Sequence, residues 1–217
     1  MDRPAGQNLV LHYRGPNGLA LPAPEGWRLI EVYWSDVPGR SPDSVLDADP
    51  THRKTHATTA LARAGALGDY ARIMLADDDI EPVVPVARIF AEFEASGARM
   101  AHPALTRDSY YAHECSRMAA IPRAPYVPVP FTELIAPMFT RAALEEYLPY
   151  FDETLYGWGL EQMWACHERA AGRQVVRLDA APIRHVRPVG QGSAYVQREA
   201  ALECAAFMGR HRLEYGR

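Results

Sequence analysis

The apolar run Ile73-Met74-Leu75-Ala76 stops in three consecutive carboxylates, Asp77-Asp78-Asp79, and Pro82 follows shortly after. A short apolar run bounded by turn signals reads as a buried strand. Around it the pattern alternates. Residues 8–13 and 27–34 read as strands, the polar stretch 35–50 as a loop, and the Ala-rich segment from Thr51 as a helix ended by Gly65 or Gly68. The strand 71–76 carries the triplet. Val86, Ile89, Phe90 and Phe93 then fall at i, i+3, i+4 and i+7 before Gly97, which predicts an amphipathic helix with a glycine stop, and 98–105 reads as the next strand. Such alternation predicts an α/β fold, a mostly parallel central sheet flanked by helices. Ligands of such sheets bind beyond the carboxyl ends of the strands, where the triplet stands.

The second half is less regular. Residues 106–130 carry Tyr110, Tyr111, His113 and Arg117 and then four prolines; a loop of that length either shapes a ligand site or is a surface meander. Residues 131–139 read as a strand. Thr140 is placed to cap a helix bearing Leu144, Tyr147, Leu148 and Phe151. Gly157-Trp158-Gly159-Leu160-Glu161 leads into another helix, with Leu160, Met163, Trp164 and His167 at helical spacing and Gly172 as its stop. Residues 174–178 predict a strand and 183–190 a basic loop containing Arg184, His185 and Arg187. Ser193 is placed to cap a last helix carrying Val196, Ala200 and Phe207. Met100, Met138 and Met163 are expected in the core.

The 217 residues suit one domain. We divide it into residues 1–105, residues 106–192 and a C-terminal helix over 193–217. With 48% hydrophobic and 23% charged residues the composition is that of an ordinary globule. A formal net charge of −4 argues against nucleic acid as a partner, because that needs a basic face. Cys115, Cys166 and Cys204 form no CxxC pair, so neither a zinc knuckle nor a disulfide framework is expected. No basic region precedes an apolar core at the N-terminus and no apolar run approaches transmembrane length, so a cytoplasmic protein is expected. GxGxxG after the first strand, GxxxxGK[ST] and GxSxG are all missing, which disfavours dinucleotide binding, P-loop chemistry and a serine nucleophile elbow.

Side chains of an extended segment alternate, so Asp77 and Asp79 share one side and Asp78 points to the other, toward nucleotide or backbone. Two carboxylates on one side suit a hard cation, Mn²⁺ or Mg²⁺, that leaves positions open for phosphate. His185 is the candidate third ligand; taken alone it equally reads as an ordinary histidine of a basic loop. Glu161, in the first turn of its helix, is a candidate general base, or an acid that complements the helix dipole. Trp158 offers an aromatic face to a sugar ring, or packs in the core. Gly159 and Gly157 let the backbone approach a ligand closely. Arg14, Lys54, Arg184 and Arg187 are candidate phosphate contacts, and Asp36, ending the second strand, a candidate for base or ribose.

In this order a strand ending in Asp-x-Asp, a Gly-Trp-Gly-x-Glu segment at a helix start and a later His resemble glycosyltransferases of the GT-A fold. More narrowly, Phe131-Thr132-Glu133-Leu134-Ile135-Ala136-Pro137-Met138-Phe139-Thr140-Arg141-Ala142-Ala143 followed by Gly157-Trp158-Gly159-Leu160-Glu161 is similar to a family of unknown function common in plants, labelled lysine-ketoglutarate-reductase trans-splicing-related. The resemblance spans roughly residues 50–190, and its most specific part is Gly-Trp-Gly-Leu. It implies a single-domain GT-A-like fold and a metal-dependent enzyme moving a sugar from a nucleoside-diphosphate sugar to a hydroxyl acceptor with inversion. Asp77 and Asp79 then match the positions binding metal and ribose, His185 the late metal ligand, Glu161 the base, and Lys54 a basic residue near the nucleotide. The alternatives are a non-catalytic GT-A-like module that binds a glycan or partner, and a sugar nucleotidyltransferase, which would want a glycine- and lysine-rich loop after the first strand.

Overall fold

β1 (Asn8–Arg14) pairs in parallel with β2 (Arg28–Tyr33), which carries the short β3 (Val45–Leu46), and on its other side with β4 (Arg72–Asp77). The computed structural model describes residues 8–47, 53–188 and 196–213. β5 (Ile80–Pro82), β6 (Met100–Leu105), β7 (Val127–Val129), β8 (Met138–Thr140) and β9 (Val175–His185) complete one sheet. Its order is β3-β2-β1-β4-β8-β6-β9-β5, and β7 also pairs with β9. β6 and β9 run parallel, whereas β8, β5 and β7 run antiparallel to their neighbours. The sheet is therefore parallel from β3 to β4 and mixed beyond. Short apolar runs record burial, not strand direction.

Among the described residues five helices flank the sheet: α1 (Lys54–Arg63), α2 (Val86–Ser96), α3 (Arg141–Phe151), α4 (Leu160–Ala170) and α5 (Gln197–Arg210). Strand alternation divides the core between two faces. Leu9, Leu11, Tyr13, Ile73 and Leu75 pack with Leu61 of α1, Leu144 and Tyr147 of α3, and Met163 and Trp164 of α4. Val10, Met74 and Ala76 pack on the other face with Val86, Ile89, Phe90 and Phe93 of α2. This α/β/α single domain is the expected fold class. Gly97 ends α2 at φ 64°, a left-handed cap that costs glycine nothing. Thr140 caps α3, its hydroxyl accepting from Ala143 N at 3.3 Å. The expected helix start at Thr51 and the expected cap Ser193 fall outside the described residues; Ala200 and Phe207 of α5 are buried as expected.

Two expectations are corrected. Of residues 131–139 only the end belongs to a strand. The chain runs beside β4, where Leu75 N donates to Pro137 O and Asp77 N to Ile135 O, each at 3.0 Å. Pro137 has no N–H to return, so the ladder stays incomplete. The result puts Glu133 and Leu134 beside the carboxyl end of β4. The strand expected at 174–178 continues to His185, which therefore ends a buried strand instead of lying in a basic loop. Residues 106–130 contain a 3₁₀ turn, Glu114–Ser116, and the edge strand β7.

Candidate functional site

The three acids at the end of β4 part company. Asp77 faces α1, where Lys54 Nζ donates to its Oδ1 at 2.6 Å and also to Leu134 O. Burial lifts the Asp77 carboxyl to about 6, against the pull of Lys54 and with the push of Asp79. Its side chain is still 36% exposed, so water offsets part of that rise. Asp78 points the other way and is buried. Its Oδ2 accepts from Gly15 N at 2.9 Å and its Oδ1 from Arg187 Nη1 at 3.2 Å, while its carbonyl accepts from Leu19 N at 2.7 Å. A Cβ on Gly18 would stand 2.4 Å from Asp78 Oδ2, so glycine there is a steric requirement. Asp78 thus ties the loop after β1 to the end of β4, and both of its oxygens are engaged by the chain.

Asp79 turns to His185, with Oδ2 3.2 Å from Nε2, and its Oδ1 is buried without a hydrogen-bond partner. The other ring nitrogen, Nδ1, lies 2.9 Å from Tyr110 O. A carbonyl only accepts, so Nδ1 carries a proton and Nε2 is left to face the carboxylate. The backbone repeats the tie: Tyr110 N donates to His185 O at 3.0 Å, and His185 N to Ser109 Oγ at 3.0 Å. Burial opposes the charged form of both groups. His185, Arg187 and Lys54 outweigh it at Asp79, which is held below the usual carboxylate range, and Asp79 outweighs it at His185, which is raised.

Glu161 is only 8% exposed, and burial followed by the charge of Glu133 pushes it up to about 7. Backbone amides of Gly159, Glu161 and Leu134 pull it back in part. Glycine is needed before it: Gly157 has φ 81° and Gly159, which precedes α4, has φ 97°. A Cβ on Gly157 would stand 2.8 Å from Leu134 Cδ1. Glu133, absent from the residues singled out above, is buried and accepts from Ser116 Oγ at 2.6 Å and His113 N at 3.1 Å. A lone acid inside an apolar run was its signal. The pair Glu133-Leu134 is the hub of the site: Leu134 O holds Lys54, the Leu134 amide reaches Glu161, and Glu133 raises Glu161.

The remaining candidates are spread out. Arg14 donates to Glu31 Oε1 at 2.6 Å, Tyr33 OH at 2.8 Å and Gly18 O at 3.0 Å, so its guanidinium braces the sheet end. Asp36 is exposed and pairs with Arg40. Arg184 pairs with Glu81 and Asp108 on the surface. Trp158 is half-buried between the two glycines. Among the described residues no three His, Cys, Asp or Glu side chains stand ready to share one ion: Asp79 and His185 converge, and Asp77 is turned to Lys54.

No family model matches the chain, and no curated protein matches it. Solved structures do align. Protein A197 from STIV superposes at TM-score 0.47 with 13% identity, over 83% of this chain and 86% of its own. A candidate nucleotide-diphospho-sugar transferase from Desulfovibrio desulfuricans G20 superposes at TM-score 0.45 with 12% identity, over 93% and 98%.

Proposed function

We propose that this chain is a metal-dependent transferase that moves a sugar from a nucleoside-diphosphate sugar to a hydroxyl acceptor, with inversion. The observation that carries this reading is the Asp79–His185 pair at the carboxyl edge of the sheet. With Nδ1–H committed to Tyr110 O, a neutral His185 aims a lone pair at a carboxylate 3.2 Å away. Two acceptors in that relation need a proton or a cation between them. The spacing, the oriented tautomer and the unpartnered Asp79 Oδ1 fit a divalent ion held by two protein ligands with phosphate oxygens completing its shell. Mn²⁺ suits a nitrogen and oxygen pair better than Mg²⁺ does. When bound, such an ion offsets the negative charge that builds on the leaving diphosphate.

The chain's own groups supply the rest. Glu161, with a carboxyl near 7, is poised to take the proton of an acceptor hydroxyl at neutral pH. Lys54 brings a positive charge to the same edge, now balanced by Asp77. In this reading residues up to 105 hold the nucleotide, 106–192 the acceptor, and Trp158 contacts a sugar.

Calorimetry with UDP and GDP, with and without Mn²⁺, tests the reading. Mn²⁺-dependent binding that is lost in Asp79→Asn and His185→Ala is expected. Binding indifferent to Mn²⁺ and to both substitutions would sink it. Donor hydrolysis in the presence of Mn²⁺ separates a catalyst from a non-catalytic binding module.

A further inference from the structure

α5 follows β9 in the chain and meets the Glu161 turn at three places. Glu203 accepts from Leu155 N and Tyr156 N, each at 2.8 Å, and from Thr154 Oγ1. Thr154 Oγ1 in turn accepts from Gly157 N at 2.9 Å. Three consecutive amides are thus held by one carboxylate and the hydroxyl it orients. One helical turn along α5, Phe207 fills the space a Cβ on Gly159 would take, with Cδ1 2.8 Å from that position. Between them Cys204 is buried, and its thiol is raised by that burial and then by the nearby charge of Glu161.

This arrangement answers a local need. The amides of residues 155–157 lie in the bend before α4, which turns at φ 81° at Gly157 and 97° at Gly159, ahead of the helix's own hydrogen-bond ladder. A carboxylate that gathers three donors is a strong and geometrically narrow acceptor. Its loss would free the bend and, with it, the first turn of α4 that carries Glu161.

We propose that Glu203 is the positioning residue of this site: through Thr154 and the amides of residues 155–157 it sets where the Glu161 carboxylate stands, and α5 roofs that carboxylate against water. The inference rests on the reading of Glu161 as the base. Besides the amides that hold it, Glu161 is faced by Glu133 from the segment beside β4 and by Cys204 from α5.

The test follows the Glu161 carboxyl directly, by carbon-13 NMR of glutamate-labelled protein, with Glu161→Gln assigning the signal. In Glu203→Ala, and separately in Thr154→Val, the midpoint is expected to fall from about 7 by about one unit or more as water reaches the carboxyl. Amide exchange at residues 155–157 should quicken, and kcat should drop by about 10- to 100-fold with the donor KM little changed. An unmoved midpoint in variants whose amides do exchange faster would overturn the inference. If Glu203→Ala does not fold, Thr154→Val decides by the same readings. A wild-type protein without transferase turnover in which the midpoint still moves defeats the functional reading and upholds the positioning.

Discussion

Lys54 Nζ stands 2.6 Å from Asp77 Oδ1 and donates as well to the carbonyl of Leu134, so one ammonium ties the start of α1 to the end of β4 and to the hub beside Glu161. Burial raises Asp77 and Lys54 lowers it. Replacing the lysine by methionine removes the lowering influence, so the Asp77 midpoint should climb above about 6 in an NMR titration. A folded-state carboxyl raised from 3.8 binds its proton more tightly than the unfolded chain does, and stability falls as pH rises through that window. Lys54→Met should widen the window upward, seen as a Tm that, relative to the wild type's, falls further or rises less between pH 4 and pH 7.

Glu161 obeys the same sign. Its carboxyl is raised from 4.5 to about 7, so the native state loses stability between those two values and carries the full penalty above 7. Glu161→Gln removes the charge and keeps the shape. It should stabilise the protein at pH 8 by up to about 3 kcal/mol and change little at pH 4. Urea unfolding at the two pH values checks this; equal effects at both would mean that Glu161 is not raised.

Much of this was legible in the residues. The period of two along β4 separated Asp78 from Asp77, because a strand end keeps its alternation, and the helical spacing of Val86, Ile89, Phe90 and Phe93 marked the face α2 buries. Glu161 in a first turn followed from two glycines and an apolar stripe. What stayed hidden depends on contacts between distant segments. Glu133 reads as one polar residue in a strand until Pro137 breaks the ladder and leaves it against Ser116. Arg14, an apparent phosphate contact, is consumed by Glu31 and Tyr33 from β2, and only the β1–β2 register brings them together. Strand direction leaves no mark in an apolar run, so the mixed half of the sheet could not be anticipated.

Gly18→Ala should disturb the site without touching its charges. The added Cβ would stand 2.4 Å from Asp78 Oδ2, and that oxygen accepts from Gly15 N. Either the loop shifts or Asp78 leaves a buried amide unpaired. A loss of about 1–3 kcal/mol in unfolding free energy is expected. An unchanged value would show that the loop after β1 yields freely.

His12 sits inside β1 with both ring nitrogens buried and unpartnered. Burial and then the charge of Arg14 outweigh the backbone of Asp77 and the charge of Asp79, and lower the imidazole from 6.5 to about 4. Below pH 6.5 the unfolded chain gains a proton that the native state refuses, so stability is lost as pH falls from 6.5 toward 4, by up to about 3 kcal/mol. His12→Leu should remove that loss, so the variant keeps more of its stability than the wild type on going from pH 6.5 to pH 4. A curve as steep as that of the wild type would assign the slope elsewhere, with His102, lowered to about 3 by burial and Arg177, the next residue to replace.

The Asp79–His185 pair makes the sharpest prediction because proton and metal compete for the same nitrogen. Asp79 raises His185, so without metal the pair contributes stability that is present below 6.5 and lost as pH rises through the raised value. Mn²⁺ needs the imidazole neutral, and its affinity should move the opposite way, rising as pH rises through that value and releasing a proton on binding. Calorimetry in buffers of different ionisation heats counts that proton. His185→Ala should abolish its release and weaken Mn²⁺ by at least about tenfold. Asp79→Asn removes the group that raises His185 and so lets the imidazole lose its proton at lower pH. If Mn²⁺ binds the wild type without displacing a proton anywhere in this range, His185 is not its ligand, and the charge at this edge of the sheet is balanced by the chain alone.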